Sequence, residues 1–271
     1  MVIDKGKSAD IGEIVSDLHP PRWALLVLVV LMMASYMGLQ LVIALGVVIW
    51  MVLTEQSVTP EALSSSEMFT WVSLVSGAVG AVTTVGLASI WPRLWRWFSS
   101  KDNGGVAGWL AWRKPLYLSL WLIPAMTLPF MLLVVLGVTQ VFGEAEVDIQ
   151  LLLFTTPSLR IVTSIVVSTV IPLAEEFIFR GVLYNALLPS MREGVAEWQR
   201  QALPLAVTSV LFASVHLLAG FETLAAIVQV TILSFYLGGL RAITGSVKAS
   251  VTGHVTWNLL SALVLAFNVS V

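Results

Sequence analysis

Residues 159–188 read LRIVTSIVVSTVIPLAEEFIFRGVLYNALL, an apolar stretch with Glu175, Glu176 and Arg180 in its interior. A run of about 20 apolar residues is long enough to cross a bilayer as an α-helix. A charged side chain near the bilayer centre costs at least about 2.5–3.5 kcal/mol on insertion scales, so such residues are rare unless they serve a function. The stretch therefore predicts a transmembrane helix that carries part of a functional site.

The composition of the whole chain is typical of a membrane protein. Of its 271 residues, 58% are hydrophobic and 11% are charged, whereas soluble chains have about 25% charged residues. Lys and Arg number 14 against 16 Asp and Glu, which leaves no basic surface for nucleic acid. The absence of cysteine excludes disulfides, thiolate nucleophiles and cysteine metal sites. We therefore expect a multi-pass integral protein, and we place it in the cytoplasmic membrane.

Seven apolar runs resemble membrane spans, at residues 23–53, 69–90, 116–142, 159–188, 203–218, 223–240 and 247–267. We predict an all-α, polytopic membrane helix bundle of about seven transmembrane helices. The fifth and sixth runs are short and the first and fourth are long, so an eighth, re-entrant segment is compatible with the pattern.

Positive charge alternates between successive connections. Lys and Arg occur before the first run and in the connections at 91–115, 189–202 and 241–248, whereas those at 54–68, 143–157 and 219–222 carry only acidic charges. Cytoplasmic loops are enriched in Lys and Arg. The pattern predicts a cytoplasmic N-terminus and, with an odd number of spans, an outward C-terminus.

Because the chain has no native cysteine, single cysteines and a membrane-impermeant thiol reagent can test this orientation. Cysteines at Ser8, Asn103 or Glu197 should react only from the cytoplasmic side. Cysteines at Ser65 or Ser270 should react only from outside. Labelling of intact cells and of inverted vesicles measures both sides, and the reverse pattern would overturn the orientation.

The chain divides into three parts. Residues 1–22 form a predicted cytoplasmic segment, residues 23–142 three helices with a basic aromatic loop at 91–115, and residues 158–268 a helical core with the candidate site. Tryptophans near the run ends, Trp109 among them, are typical of interfacial anchors. We expect the aromatic loop to lie on the cytoplasmic lipid surface.

The two adjacent glutamates are predicted to differ. In an uninterrupted α-helix, Glu176 and Arg180 lie about 40° apart and can form an ion pair, whereas Glu175 lies about 140° from Arg180. Glu175 therefore has no partner within its own helix and is the better candidate for a base. Pro172 removes a backbone donor and predicts a kink just before it. The alternative is that all three charges form a buried network that only fixes helix packing.

Two later runs each hold a histidine in an i, i+4 pair. Phe212 and His216 share one helical face, as do His254 and Asn258. Phe212 is expected to pack against the imidazole of His216 and to limit its rotamers. A single membrane His or Asn is usually a hydrogen-bonding contact between helices. Two His, one Asn and an unpaired Glu together favour a catalytic site.

Several chemistries are excluded by the residues present. No Asp lies within an apolar run, so an aspartyl dyad has no carboxylates, and no HExxH motif occurs. Serines are available within the runs, but none lies in a glycine-rich nucleophile turn. A carboxylate and a histidine that activate water remain, with other donors for the oxyanion. Zinc held by Glu175, His216 and His254, with water as the fourth ligand, is the alternative.

Three ordered motifs resemble the CPBP family, the CAAX-protease and bacteriocin-processing (Abi) membrane proteins, which include the Rce1-type prenyl endopeptidases. They are Glu175-Glu176-x-x-x-Arg180, Phe212-x-x-x-His216 and His254-x-x-x-Asn258, with Thr244-Gly245-Ser246 before the last. The resemblance covers about residues 163–261. It implies an intramembrane endopeptidase of the glutamate type that needs no cofactor and acts on a peptide or protein substrate.

The resemblance also implies a role for each matching position. Glu175 and His216 would activate the attacking water, and His254 and Asn258 would form the oxyanion hole. Glu176 and Arg180 would support the site, with Phe212 beside them. Two other hypotheses stay open: a non-enzymatic membrane immunity or scaffold protein, and an ion- or proton-coupled transporter. In a straight bundle His216 and His254 would lie at different depths, so short, tilted or re-entrant fifth and sixth segments are expected.

Overall fold

The computed structural model of the chain describes residues 21–54, 67–98, 105–143, 157–188, 196–218 and 223–266. Within these ranges the regular structure is entirely helical, which confirms the all-α class. Residues 1–20, most of the acidic connections and residues 267–271 lie outside them. Four of the five positions chosen for cysteine labelling, Ser8, Ser65, Asn103 and Ser270, therefore lie outside the described residues.

The described elements follow one another along the chain without a strand between them. They are α1 (Arg22–Leu53), α2 (Glu67–Phe98), α3 (Gly105–Leu110), α4 (Leu122–Phe142), α5 (Pro157–Ile165), π1 (Val166–Val170), α6 (Ile171–Glu176), π2 (Phe177–Leu183), α7 (Tyr184–Leu187), α8 (Glu197–Leu218), α9 (Leu224–Thr244) and α10 (Val247–Ala266). The elements from α5 to α7 run on without a break and form one composite helix, residues 157–187.

Five helices in the described ranges are long and apolar enough to cross a membrane. They are Arg22–Leu53, Leu74–Trp95, Leu122–Phe142, Ile161–Leu187 and Leu224–Thr244. The chain is therefore an integral membrane protein. The predicted fifth and seventh spans correspond to α8 and α10, which are helical but less apolar. The total of seven spans, the eighth segment and the orientation of the N-terminus stay predictions.

Two π-helical segments interrupt the helix that carries the charges. The Ile171 N–H donates to the Val166 carbonyl, five residues earlier, so the turn before Pro172 is a π turn. The second segment, π2, begins directly after Glu176. The prediction of an uninterrupted α-helix after Pro172 is therefore wrong. π segments inside α-helices are frequent at functional sites.

The first two long helices pack against the composite helix. Leu25, Leu28 and Met32 of α1 belong to one buried cluster with Phe179 and Val182 of π2. Within a bilayer such contacts are stabilised by close packing between the helices rather than by the removal of apolar surface from water. The pair α1–α2 therefore forms part of the wall of the candidate site, although the motifs lie elsewhere in the chain.

The basic aromatic loop contributes to the core. Residues 91–98 continue α2, and Trp109 of α3 is fully buried. The prediction that Trp109 is an interfacial anchor is wrong, because α3 packs inside the bundle rather than on its lipid face. Trp23, in contrast, is 60% exposed, as an anchor at a helix end would be.

The turn between α9 and α10 is held by the segment that follows α3. Gly245 ends α9 with φ of 63°, a left-handed conformation that glycine adopts without strain. The Leu116 N–H donates to the Thr244 carbonyl at 3.0 Å, and the Val247 N–H donates to the Ala111 carbonyl at 3.1 Å. These bonds satisfy backbone groups at the ends of both helices and fix where α10 begins.

Two glycines set the depth of α8, α9 and α10 relative to one another. A Cβ at Gly238 of α9 would lie 2.8 Å from Leu205 of α8, and one at Gly253 of α10 would lie 2.9 Å from Leu240 of α9. Helices α8 and α9 are continuous, with 22 and 21 residues. The expectation that these segments are short is therefore wrong, and Phe212 of α8 contacts both His216 and His254 although α8 and α9 are of ordinary length.

Candidate active site

Glu176 and Arg180 form an ion pair inside the composite helix. Arg180 Nη1 donates to Glu176 Oε1 at 2.9 Å, and both side chains are fully buried. The pair forms although π2 replaces the α-helical turn that the prediction assumed. Residues four apart still share a face in the wider turn. The ion pair between Glu176 and Arg180, which their i, i+4 spacing predicted, is therefore confirmed.

Arg180 also connects the composite helix to α9. Its Nη2 donates to the Ser234 carbonyl at 2.9 Å and to Ser234 Oγ at 2.6 Å. Its guanidinium carbon lies 4.5 Å from the centre of the Phe212 ring, within range of a cation–π interaction. Hydrogen bonds, an ion pair and an aromatic face therefore compensate together for burying this charge.

His254 lies between the two glutamates. Its Nδ1 is 2.9 Å from Glu176 Oε1, and its Nε2 is 3.8 Å from Glu175 Oε2. The short contact assigns the proton on Nδ1 to the bond with Glu176, so Nε2 faces Glu175. The 3.8 Å separation is too long for a hydrogen bond. Glu175 is also the more accessible carboxylate, with a side chain 16% exposed against none for Glu176.

Phe212 joins the two histidines. Its ring centre lies 4.3 Å from that of His216 and 5.8 Å from that of His254. The expected packing of Phe212 on the His216 imidazole is therefore present. His216 Nδ1 lies 2.9 Å from the Phe212 carbonyl one turn earlier, which assigns the proton to Nδ1 and leaves Nε2 with a lone pair in the neutral ring. The Phe212 ring and carbonyl therefore fix the orientation of the His216 imidazole.

Asn258 is held by a carbonyl that Pro172 leaves without a partner. In the π turn the Val167 carbonyl would accept from residue 172, but proline has no N–H. Asn258 Nδ2 donates to this carbonyl at 3.2 Å, and Ser168 Oγ donates to the Asn258 carbonyl at 3.3 Å. The predicted distortion near Pro172 therefore anchors α10 and positions the Asn258 amide.

The structure brings the predicted residues of three separate helices into one cluster. Glu175, Glu176 and His254 contact one another, and Phe212 links His216 to them. In the parts of the chain that the structure describes, no three His, Asp or Glu side chains form a group that could hold a metal ion. The proposed zinc ligands do not form such a group either, although all three lie in described helices.

Two residues next to the cluster were not predicted from the sequence. Ser234 is a fully buried serine in an apolar run, and small polar residues in spans commonly bond between helices. Arg241 was assigned to a cytoplasmic connection by its charge, but it is buried at the end of α9. Its Nε donates to the Arg180 carbonyl at 3.1 Å and its Nη2 to Asn185 Oδ1 at 2.7 Å.

The fold and the cluster together define an integral membrane protein with a buried site of carboxylate, imidazole and amide groups. Residues 157–260 match the sequence model of the family described as type II CAAX prenyl endopeptidase Rce1-like. This match covers the composite helix and all three motifs. Neither the curated proteins nor the solved structures contain a match to the chain.

The match over residues 157–260 supports the CPBP family of CAAX protease-like membrane proteins, which the three motifs resemble. The family indicates a peptide hydrolase of the membrane that acts on a peptide or protein substrate. The match begins at residue 157, after α1 and α2, so these two helices receive no role from it.

Proposed function

We propose that the protein is a membrane-embedded endopeptidase of the cytoplasmic membrane, with its N-terminus in the cytoplasm. It hydrolyses peptide bonds of membrane-associated proteins or peptides with water activated by Glu175 and His216. One observation carries the proposal, the difference between the two glutamates. The Glu176 carboxylate accepts hydrogen bonds from Arg180 and His254. The Glu175 carboxylate faces His254 Nε2 at 3.8 Å and forms no hydrogen bond with it. A carboxylate with a free oxygen next to an imidazole is the arrangement that a general base requires.

The reaction divides between two pairs of residues. Glu175 and His216 hold the water and accept its proton as its oxygen attacks the carbonyl carbon of the scissile bond. His254 and Asn258 donate to the oxygen on which negative charge develops. The proton then passes to the leaving nitrogen when the C–N bond breaks, which restores the base.

The contacts of His254 and Asn258 suit this second role. Glu176 Oε1 fixes the His254 ring through Nδ1 and balances the charge of the imidazolium, whose Nε2–H then faces the reaction. Asn258 Nδ2 uses one hydrogen for the Val167 carbonyl and retains a second. Donors fixed before the reaction cost no reorganisation when the oxyanion forms.

The proposal is tested by peptide cleavage. Purified protein in detergent is incubated with a peptide library, and fragments are identified by mass spectrometry against the Glu175→Ala variant. Fragments that only the unmodified protein produces support the endopeptidase. No difference between the two proteins, with membrane-associated peptides included in the library, would favour the non-enzymatic scaffold or the transporter.

We expect catalysis to be independent of metal, because in the proposed mechanism Glu175 and His216 activate the water without a metal ion. Peptide cleavage should keep its rate in chelator, and purified protein should contain far less than one zinc per chain. Elemental analysis and the cleavage assay measure both. Zinc at one per chain, with activity lost in chelator and restored by zinc, would overturn this expectation.

A further inference from the structure

Two polar side chains lie on one face of α1, within an otherwise apolar span. Tyr36 and Gln40 are four residues apart, so they share a helical face, and both are partly buried. Polar residues inside a membrane span usually face the bundle and serve a purpose there. Nothing in the family match accounts for them, since it begins at residue 157.

The packing of α1 places Tyr36 one turn beyond the stripe that contacts π2. Leu25, Leu28 and Met32 pack in one cluster with Phe179 and other residues of π2. One further turn along the same face of α1 leads to Tyr36. Arg22 at the start of α1 donates to the Leu188 carbonyl, at the end of the composite helix, at 2.9 Å, so the two helices run antiparallel. Because Glu175 lies one turn before Phe179, its side chain comes to a position that adjoins Tyr36.

A glycine on α2 fixes this position. A Cβ at Gly80 would lie 3.1 Å from the Tyr36 carbonyl oxygen and 3.4 Å from its ring, so only glycine allows this close approach without a shift. A Cβ at Gly77, one turn earlier on α2, would lie 3.9 Å from Ile171 of the composite helix. The glycine face of α2 therefore touches both Tyr36 and the helix that carries Glu175.

Ile171 lies one turn before Glu175 on the same face of the composite helix, so the contacts of Gly77 and Gly80 place the Tyr36 side chain next to that of Glu175. Gln40 is an amide and can donate to the phenol oxygen of Tyr36. The phenol proton is then left for another acceptor, and a carboxylate is the strongest acceptor that a hydroxyl can meet in such a site.

We propose that Tyr36 is a positioning residue for Glu175, which it orients toward the attacking water by hydrogen bonding from α1. The inference rests on the proposed function and extends it, because it adds a residue of the N-terminal helices to a site built from residues 157–260. Gln40 assists by holding the phenol ring. A hydrogen-bond donor keeps the carboxylate of the base in the same position from one turnover to the next. This matters because small displacements of a catalytic group reduce the rate strongly.

Tyr36→Phe tests the inference, with Tyr236→Phe as its matched control. Tyr236 also carries a partly buried membrane hydroxyl, which bonds to Thr127 Oγ1 at 2.8 Å in a separate cluster. Tyr36→Phe should lower kcat about tenfold to a hundredfold with KM unchanged. Tyr236→Phe should leave kcat and KM as in the unmodified protein. An unchanged kcat for Tyr36→Phe, or a rise in KM alone, would overturn the inference.

A second measurement does not depend on activity. A membrane-soluble carbodiimide modifies carboxyl groups, and tandem mass spectrometry separates modification of Glu175 from that of Glu176. Tyr36→Phe should speed modification of Glu175 severalfold, because the carboxyl loses its hydrogen-bonding partner, and should leave Glu176 unchanged. Equal rates at Glu175 in both proteins would overturn the inference. If Glu175 is modified faster in Tyr36→Phe but no peptide is cleaved, the contact between Tyr36 and Glu175 is supported and the proposed endopeptidase activity is contradicted.

Discussion

Glu175→Gln is expected to abolish turnover while the protein stays folded. The substitution removes a general base, which typically contributes 10²–10⁴-fold in rate, but keeps the shape of the side chain and a hydrogen-bonding group. Glu175 lies 3.8 Å from His254 Nε2 without a hydrogen bond, so the substitution should leave the thermal midpoint nearly unchanged. Cleavage of an identified peptide and a thermal unfolding curve in detergent measure the two effects.

The matched control for this prediction is Glu175→Asp. Aspartate keeps a carboxylate that can act as a base, but its side chain is one methylene shorter. Activity should therefore fall less than with glutamine. A Glu175→Gln variant that retains full activity would remove this carboxylate from the mechanism. Loss of activity together with unfolding would mean that Glu175 serves packing instead.

Glu176→Gln is expected to destabilise the protein. Its carboxylate oxygen accepts from both Arg180 and His254 at 2.9 Å in a fully buried setting. Removing one partner of such a pair leaves a buried charge without compensation, which costs about 3–5 kcal/mol. We expect a clear fall in the thermal midpoint, and a loss of activity because His254 is no longer oriented.

A double substitution separates the ion pair from the rest of the site. Glu176 and Arg180 replaced together by apolar residues should recover part of the lost stability, because no unpaired charge remains. Recovery should be incomplete, since Ser234 and His254 also lose a partner. Glu175→Gln combined with the loss of Arg180 should show no such recovery. A stable but inactive Glu176→Gln variant would mean that the two glutamates exchange roles.

The relations that the sequence predicted well are those within a single helix. The Glu176–Arg180 ion pair and the packing of Phe212 on His216 both follow from i, i+4 spacing. The pair persists even though π2 begins between its members. The π turn is wider than the α turn that was expected, but side chains four residues apart still lie close enough to pair.

The relations that failed are those that depend on how the helices meet. Trp109 looked like an interfacial anchor because tryptophans near run ends usually are, yet α3 is buried. Arg241 looked like a loop charge, yet it bonds the Arg180 carbonyl inside the bundle. The type of a residue indicates only its average preference for lipid, water or the protein interior. The packing of the helix that carries the residue decides where its side chain lies.

The sequence alone thus determined that this is an all-helical membrane protein with its polar groups in the C-terminal half, because apolar run length and charge count act locally along the chain. Tertiary structure decided the site itself. Gly238 and Gly253 allow α9 to pack closely against α8 and α10, His254 of α10 contacts Glu176 of the composite helix, and the Val167 carbonyl before Pro172 accepts from Asn258. Helix register of this kind depends on close contacts between distant residues, which no periodicity in the sequence encodes.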